Sequence, residues 1–253
     1  MNDLPFPTAQ NLLARWDAQQ TAYIKHRDQR FGVMAQTIAR LCGNSPRILD
    51  LACGPGSTSA ALLDLLPEAH IIAVDKDPVL LAIANDVFAG RTNVQVRDED
   101  LDQTVWLDAI EGQFDAVVSS TALHWLAPDA LARLYFALAD KVKAGGIFLN
   151  ADHLKYDDIC QPVLQRLSAE DDAINQKVAF EGGTDTWDAW WAAAKSNPAY
   201  QTAATRRDAV WEGKEPQRKV NLGYHLTALR SAGFRETGTI WQYLDDYVLY
   251  GVR

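Results

Sequence analysis

The stretch Arg47-Ile-Leu-Asp-Leu-Ala-Cys-Gly-Pro-Gly56 decides the fold. Ile48-Leu-Asp-Leu51 reads as a buried strand, and residues 58–66 as a helix closed by Pro67. Working outward, Ile71-Ile-Ala-Val74 is a second strand, and Pro78 suits the first position of a helix carrying Leu80, Leu81, Ile83 and Ala84. Val94-Gln-Val96 is a third strand and Phe114-Asp-Ala-Val-Val118 a fourth, followed by a helix over 129–142. The pair Gly145-Gly146 is expected to turn the chain into a fifth strand, Ile147-Phe-Leu149. Strands separated by helices predict right-handed crossovers and a parallel sheet covered on both faces.

The pattern then breaks. Residues 154–220 hold no clear strand but carry helical stretches rich in Asp, Gln, Ala and Trp. It resumes with a helix over 222–232, which Gly233 can end, and two β-rich runs over 237–243 and 247–252. The short spacer between those runs predicts an antiparallel hairpin. The expected fold is therefore α/β: a Rossmann-like, seven-stranded, mostly parallel sheet with one antiparallel strand, helices on both faces and a helical insertion after the fifth strand. Residues 1–45 are expected to form a helical cover. Residues 46–253 form the main domain, with 154–220 as a lid.

Length and composition narrow the function. The chain has 253 residues, 48% of them hydrophobic, enough for one cored domain. No run of eighteen apolar residues occurs, so no membrane span is expected. The first residues lack a basic region followed by an apolar stretch, so no secretory signal is expected either. Cys42, Cys53 and Cys160 are odd in number and lack metal-ligand spacing, which fits free thiols and a cytoplasmic protein. A net charge of −9 argues against nucleic acid as partner. Arg206-Arg207 and Arg218-Lys219 read as solvated pairs. A small molecule is the expected substrate, bound by a monomer or homodimer.

In an open parallel sheet, ligands bind beyond the carboxyl ends of the strands. There the turn Ala52-Cys-Gly54-Pro-Gly56 lets a ligand approach the backbone, and the next helix offers unpaired N–H groups. Asp75 follows Gly56 by 19 residues, where a carboxylate can accept two bonds from a ribose diol. Such a site suits any adenosine cofactor, NAD included. Two residues separate the candidates. Ser59 stands where the dinucleotide fingerprint has a third glycine, and Asp50 would repel a pyrophosphate while favouring an ammonium or sulfonium.

With those residues in place, Asp50-Leu-Ala-Cys-Gly-Pro-Gly56 resembles the first motif of the class I S-adenosylmethionine-dependent methyltransferases at its acidic and both glycine positions. The resemblance implies S-adenosylmethionine as cofactor and a small-molecule acceptor, methylated on O or N. It assigns Asp50, Ala52, Gly54 and Gly56 to the cofactor, Asp75 to its ribose and Lys76 to the edge of its adenine. Asp98-Glu-Asp100-Leu101 resembles the third motif, in which a carboxylate takes the adenine amine and the next N–H a ring nitrogen. Asp98 and Asp100 compete for the first role and Asp100 is preferred, with Leu101 following it. The run from Phe114 to Leu126 resembles the fourth motif, with Ser119 beside the cofactor. Leu123-His-Trp-Leu126 and Gly145-Gly146 are similar to the trans-aconitate methyltransferase branch. Trp16-Asp17, Tyr23 and Arg30 resemble a helix that closes over cofactor. By that resemblance Tyr23 and Arg30 bind the methionine carboxylate; otherwise they are an aromatic anchor and a surface cation. Two other functions stay open at this point: an NAD-dependent oxidoreductase and a non-catalytic binder of an adenosyl ligand.

Among the histidines, His124 is the candidate general base, since its ordinary pKa suits proton transfer near neutrality. The alternative is a histidine bonded within its loop. His153 beside Asp152 is a second, lesser candidate, and His26, His70 and His225 are read as structural or exposed. Trp187, Trp190 and Trp191 share one helix side, as their spacing dictates. That stripe is expected to dock the insertion, with a lid over an apolar acceptor as the alternative.

Overall fold

The computed structural model describes residues 6–213 and 217–253. The first five residues of the expected cover and residues 214–216 of the expected insertion lie outside them. Two helices come first, α1 (Ala9–Tyr23) and α2 (Arg27–Cys42). Then follow β1 (Arg47–Leu51), α3 (Ser57–Leu65), β2 (His70–Asp75), α4 (Pro78–Val87), β3 (Val94–Asp98), β4 (Phe114–Ser120), α5 (Pro128–Lys141) and β5 (Val142–His153). The insertion holds α6 (Pro162–Glu181), α7 (Trp187–Ser196) and α8 (Gln201–Trp211). α9 (Leu222–Ser231), β6 (Glu236–Tyr243) and β7 (Asp246–Val252) complete the chain.

The seven strands lie in the order β3-β2-β1-β4-β5-β7-β6. β1 to β5 run parallel, and β7 is antiparallel to both β5 and β6, so one strand is reversed, as expected. The order reverses direction at β1, which places the switch point between β1 and β4.

Alternation along the strands divides the core. Leu49, Leu51, Val117, Phe148 and Leu249 face α5 and α9, meeting Leu134, Tyr135 and Leu229. Ile48, Ile71, Val118, Leu149 and Val248 face α2 and α3, meeting Phe31, Met34, Ile38 and Leu62. α2 is thus part of the sheet's own core. A third cluster joins Leu12 of α1, Val79 and Ile83 of α4, and Trp190 and Trp191 of α7. It ties the N-terminal helix and the insertion together on α4.

Two sequence expectations need correction. Gly145 and Gly146 do not form a separate turn before a short strand; they lie inside the long β5. There β4 advances from Phe114 to Ala116 while β5 runs from Val142 to Ile147, a bulge. Gly145 takes φ +79°, and a Cβ on Gly146 would come within 2.8 Å of the Asp115 carbonyl oxygen, so glycine serves close approach here. In the hairpin, Tyr243 pairs with Asp246, leaving only Leu244 and Asp245 in the turn. Among the described residues no helix is long and apolar enough to cross a membrane.

Candidate active site

The turn after β1 is held by its own neighbours. Ala52 (φ 53°) and Gly54 (φ 58°) lie in the left-handed region, a conformation that costs alanine about 1–2 kcal/mol. The Cys53 N–H donates to the Val74 carbonyl at 2.9 Å, stitching the turn to β2. Gly56 has φ +103°, and a Cβ there would lie 2.6 Å from the Phe88 ring, so glycine is required on both counts.

Asp50 has the parity of Ile48, so its side chain lies under α3, where the Ser59 hydroxyl donates to its Oδ2 at 2.6 Å. It is fully buried, and Oδ1 has no hydrogen-bond partner among the described residues. Burial pushes the carboxyl up to about 7, against the hydrogen bond from Ser59.

Asp75 ends β2 and is also buried. Its Oδ2 accepts from Gly54 N–H and its Oδ1 from Asp77 N–H, both at 2.8 Å. Burial still pushes it up to about 6. The resemblance assigns Asp75 to the ribose of the cofactor. Asp77, the next acidic residue, caps α4, accepting from Val79 and Leu80 N–H. Asp75, however, also braces the glycine turn, and each oxygen offers a ligand only its second lone pair.

At the neighbouring strand end, Lys76 Nζ lies 3.1 Å from both Asp100 Oδ1 and Asp102 Oδ2. Asp102 is therefore a second partner of Lys76. Leu101 is buried beside it. Asp98 turns outward and pairs with Arg206 of α8 at 2.9 Å. Asp100 thus sits with Lys76, and Asp98 does not.

Ser119 is buried on the other face and donates to the Leu51 carbonyl at 3.0 Å, tying β4 to β1. Beyond β4, His124 Nδ1 lies 2.7 Å from Asp152 Oδ1 across to β5, and His124 N–H donates to Asp152 Oδ2 at 3.3 Å. Burial works to raise the Asp152 carboxyl, but the His124 imidazole and Arg30 overcome it and hold it below its usual value. Asp152 is therefore ionised. An Asp–His pair does exist, but its histidine is His124; His153 turns instead to Asp245 at 3.4 Å. His225 is buried on the Tyr135 hydroxyl at 2.6 Å, with burial lowering it to about 4.

Arg30 is a fully buried cation, not a surface one. Its Nη1 lies 3.2 Å from Asp246 Oδ1 and its Nη2 donates to Thr121 Oγ1 at 3.3 Å. Burial pushes Asp246 up to about 6 even beside this guanidinium. Tyr23 packs its ring edge-on against Phe180 of α6, 5.6 Å between centroids. The structure thus brings Arg30 to the ends of β4 and β7, and Tyr23 to the insertion.

α1 and the insertion lie over this edge of the sheet. Trp16 stands 4.0 Å from where a Gly54 Cβ would be, and contacts Trp187, Trp190 and Trp191. Trp190 is fully buried, with its indole N–H on the Leu12 carbonyl at 3.0 Å, so the stripe docks the insertion. Arg207 departs from the sequence reading: it is not solvated but donates to Asp77 Oδ2 at 2.7 Å and stacks on Trp191 at 3.8 Å.

Residues 48–146, which carry β1 to β4 and the start of β5 but neither the Asp152 end of β5 nor β7, match the family described as a methyltransferase domain. The trans-aconitate 2-methyltransferase of Azoarcus sp. is 28% identical over 144 residues, 56% of this chain and 53% of that one. The enzyme of the same name from Streptomyces avermitilis is 34% identical over 136 residues, 52% of this chain and 48% of that one. Over residues 48–146 this chain is therefore similar to the class I methyltransferases. It spans about half the length of the curated relatives it matches. Among solved structures, an O-methyltransferase family protein from Burkholderia thailandensis aligns with a TM-score of 0.59 at 16% identity, over 97% of this chain and 63% of that one. At that identity the likeness is one of fold.

Sequence reasoning did not assign three residues of this candidate site. Asp152 gave a partial signal, an acidic residue at a strand's carboxyl end. Asp77 and Arg207 gave none, because they lie 130 residues apart in the chain. Proximity of that kind is set by how the insertion docks.

Proposed function

We propose that the protein transfers a methyl group from S-adenosylmethionine to a hydroxyl of a small molecule, with His124 as general base. The observation that carries this reading is the His124–Asp152 pair, on the strands next to the glycine turn. The residues fit the cofactor. Asp50 offers a buried oxygen with no hydrogen-bond partner among the described residues, at the strand end expected for a cationic amino-acid group. Asp75, Lys76, Asp100 and Leu101 line the next strand ends for the adenosine. Ala52, Gly54, Gly56 and Ser119 shape the turn between, with Tyr23 and Arg30 at the methionine end.

When bound, S-adenosylmethionine supplies an activated methyl carbon on a sulfonium. The protein's part is to align the acceptor, exclude water and take a proton. Asp152 accepts from Nδ1, which places the lone pair of the neutral imidazole on Nε2. Nε2 would then take the acceptor's hydroxyl proton as that oxygen is methylated. α1 and the insertion act as cover and lid, keeping water from the site.

The reading extends to a cytoplasmic monomer or homodimer without a nucleic-acid partner, supported by the net charge of −9. Trans-aconitate 2-methyltransferase as the name of two relatives supports a small-molecule acceptor. Calorimetry with S-adenosylmethionine against NAD, followed by labelled-methyl transfer to a panel of hydroxyl metabolites, tests it. Binding of NAD alone overturns the cofactor; binding without turnover on any acceptor favours a non-catalytic adenosyl binder.

A further inference from the structure

The insertion reaches the sheet through α8, and the way it does so differs from the way α7 docks. α7 buries Trp190 and Trp191 in the third apolar cluster. α8 buries no residue fully. Ala203 and Ala204 pack partly buried on that cluster, and polar ties hold the helix further: Arg206 to Asp98 at 2.9 Å, Arg207 to Asp77 at 2.7 Å, and the Trp211 indole N–H to Asp77 at 2.9 Å. A helix with no fully buried residue opens more easily than the fold beneath it.

Where those ties land is the informative part. Asp77 follows Asp75 and Lys76 on the loop after β2, and Asp98 ends β3, so α8 clasps the two strand ends read as the adenosine side of the site. Asp77 divides its oxygens, Oδ1 capping α4 and Oδ2 receiving α8. Trp211 is only partly buried, and Lys76 Nζ lies 5.3 Å from its ring centroid. Lys76 in turn bonds Asp100. A flat aromatic face beside a Lys–Asp pair is suited to a purine nucleoside, by stacking on the ring and hydrogen bonding at its edge.

We propose that α8 is a clasp of the cofactor pocket: Trp211 walls its nucleoside end, and Arg207 and Trp211 together fasten the insertion to the loop that carries Asp75 and Lys76. This rests on the cofactor reading given above. It makes the insertion a determinant of cofactor affinity as well as a cover for the acceptor. Because Asp77 lies on the same loop as Asp75 and Lys76, holding α8 and holding the nucleoside favour each other.

The test is the affinity of the full chain for S-adenosylmethionine and S-adenosylhomocysteine, by calorimetry, with Trp211→Ala, Trp211→Phe and Arg207→Ala. Trp211→Ala is expected to weaken both ligands about tenfold or more, as does loss of a stacking ring elsewhere. Trp211→Phe, which keeps a ring but loses the bond to Asp77, falls between it and the parent. Arg207→Ala weakens binding and also removes the protection that ligand gives residues 201–211 against trypsin. Arg166→Ala, on the exposed face of α6, changes neither. Parent-like affinity in both alanine variants overturns the clasp while leaving the cofactor reading intact. Failure of the parent chain to bind either ligand overturns that reading, and the clasp with it. Unchanged circular dichroism qualifies each variant, and if Trp211→Ala does not fold, Trp211→Phe and Arg207→Ala decide the question.

Discussion

At the carboxyl end of β1, the candidate cofactor surface is largely backbone. Ala52, Gly54 and Gly56 give the turn its shape, and two nearby carboxylates, Asp50 and Asp75, hold it from within. At the ends of β4, β5 and β7 the surface is side chain: Arg30 from α2, Thr121 and His124 after β4, Asp152 on β5 and Asp246 on β7. The first region comes from one short segment and its neighbouring strand. The second draws on four segments scattered along the chain. Several of its buried polar atoms, Arg30 Nε and Asp246 Oδ2 among them, have no hydrogen-bond partner among the described residues, so opposite charge rather than hydrogen bonding offsets their burial. Under the proposed function the contrast is a division of labour: a local backbone motif would fix the methyl donor, and a long-range network would hold the base.

If that division is right, substitutions in the two regions separate by what they change. The largest effect is expected at the second region. His124→Ala should lower turnover about 10²–10⁴-fold, the usual worth of a general base, with S-adenosylmethionine affinity unchanged. Asp152→Asn should act in the same direction, because an amide no longer enforces the Nδ1–H tautomer, and a pH–rate profile will show the displaced base. An equal loss of cofactor affinity in either variant would break the comparison.

The next effect belongs to the first region. Asp50→Asn should weaken S-adenosylmethionine binding about 10–100-fold by calorimetry, from loss of a buried charge-assisted contact. The same variant should be the more stable protein without ligand at pH 8. The reason is a sign. A carboxyl pushed up to about 7 by burial favours the folded state when protonated, and that contribution is lost as pH rises through its folded value. Thermal unfolding at pH 8 should therefore favour the variant, and the difference should shrink at pH 5, where Asp50 is already neutral.

A smaller effect sharpens the same point. Ligand affinity should fall by up to tenfold between pH 7 and pH 6, because a cation needs Asp50 ionised and about 7 is its value in the free protein. Binding at pH 6 should release a proton, seen as a buffer-dependent heat in calorimetry. Asp50→Asn should abolish most of that dependence, and a persistent dependence would assign it to Asp75, pushed up to about 6.

Legibility followed the same boundary. The five parallel strands and their helices were readable because each is an apolar run between turn signals, and local chain chemistry sets such runs. The long β5 was read short, since its glycines look like a turn and only pairing with β4 shows a bulge. Arg30 looked like a surface cation. Helical periodicity alone does not reveal that the Arg30 face of α2 lies against the end of β7. Arg207 looked like half of a solvated pair for the same reason.

What the sequence by itself determined is the mostly parallel sheet and the glycine turn with Asp50 before it, because apolar runs and turn signals are local. What only the tertiary structure decided is the partner of each charged group: Asp152 for His124, Asp246 for Arg30, Asp77 for Arg207 and Trp211. The physical reason is distance along the chain. A strand or turn is selected by interactions among residues a few positions apart. A buried charge is tolerated only where folding brings a distant partner to within a few ångströms.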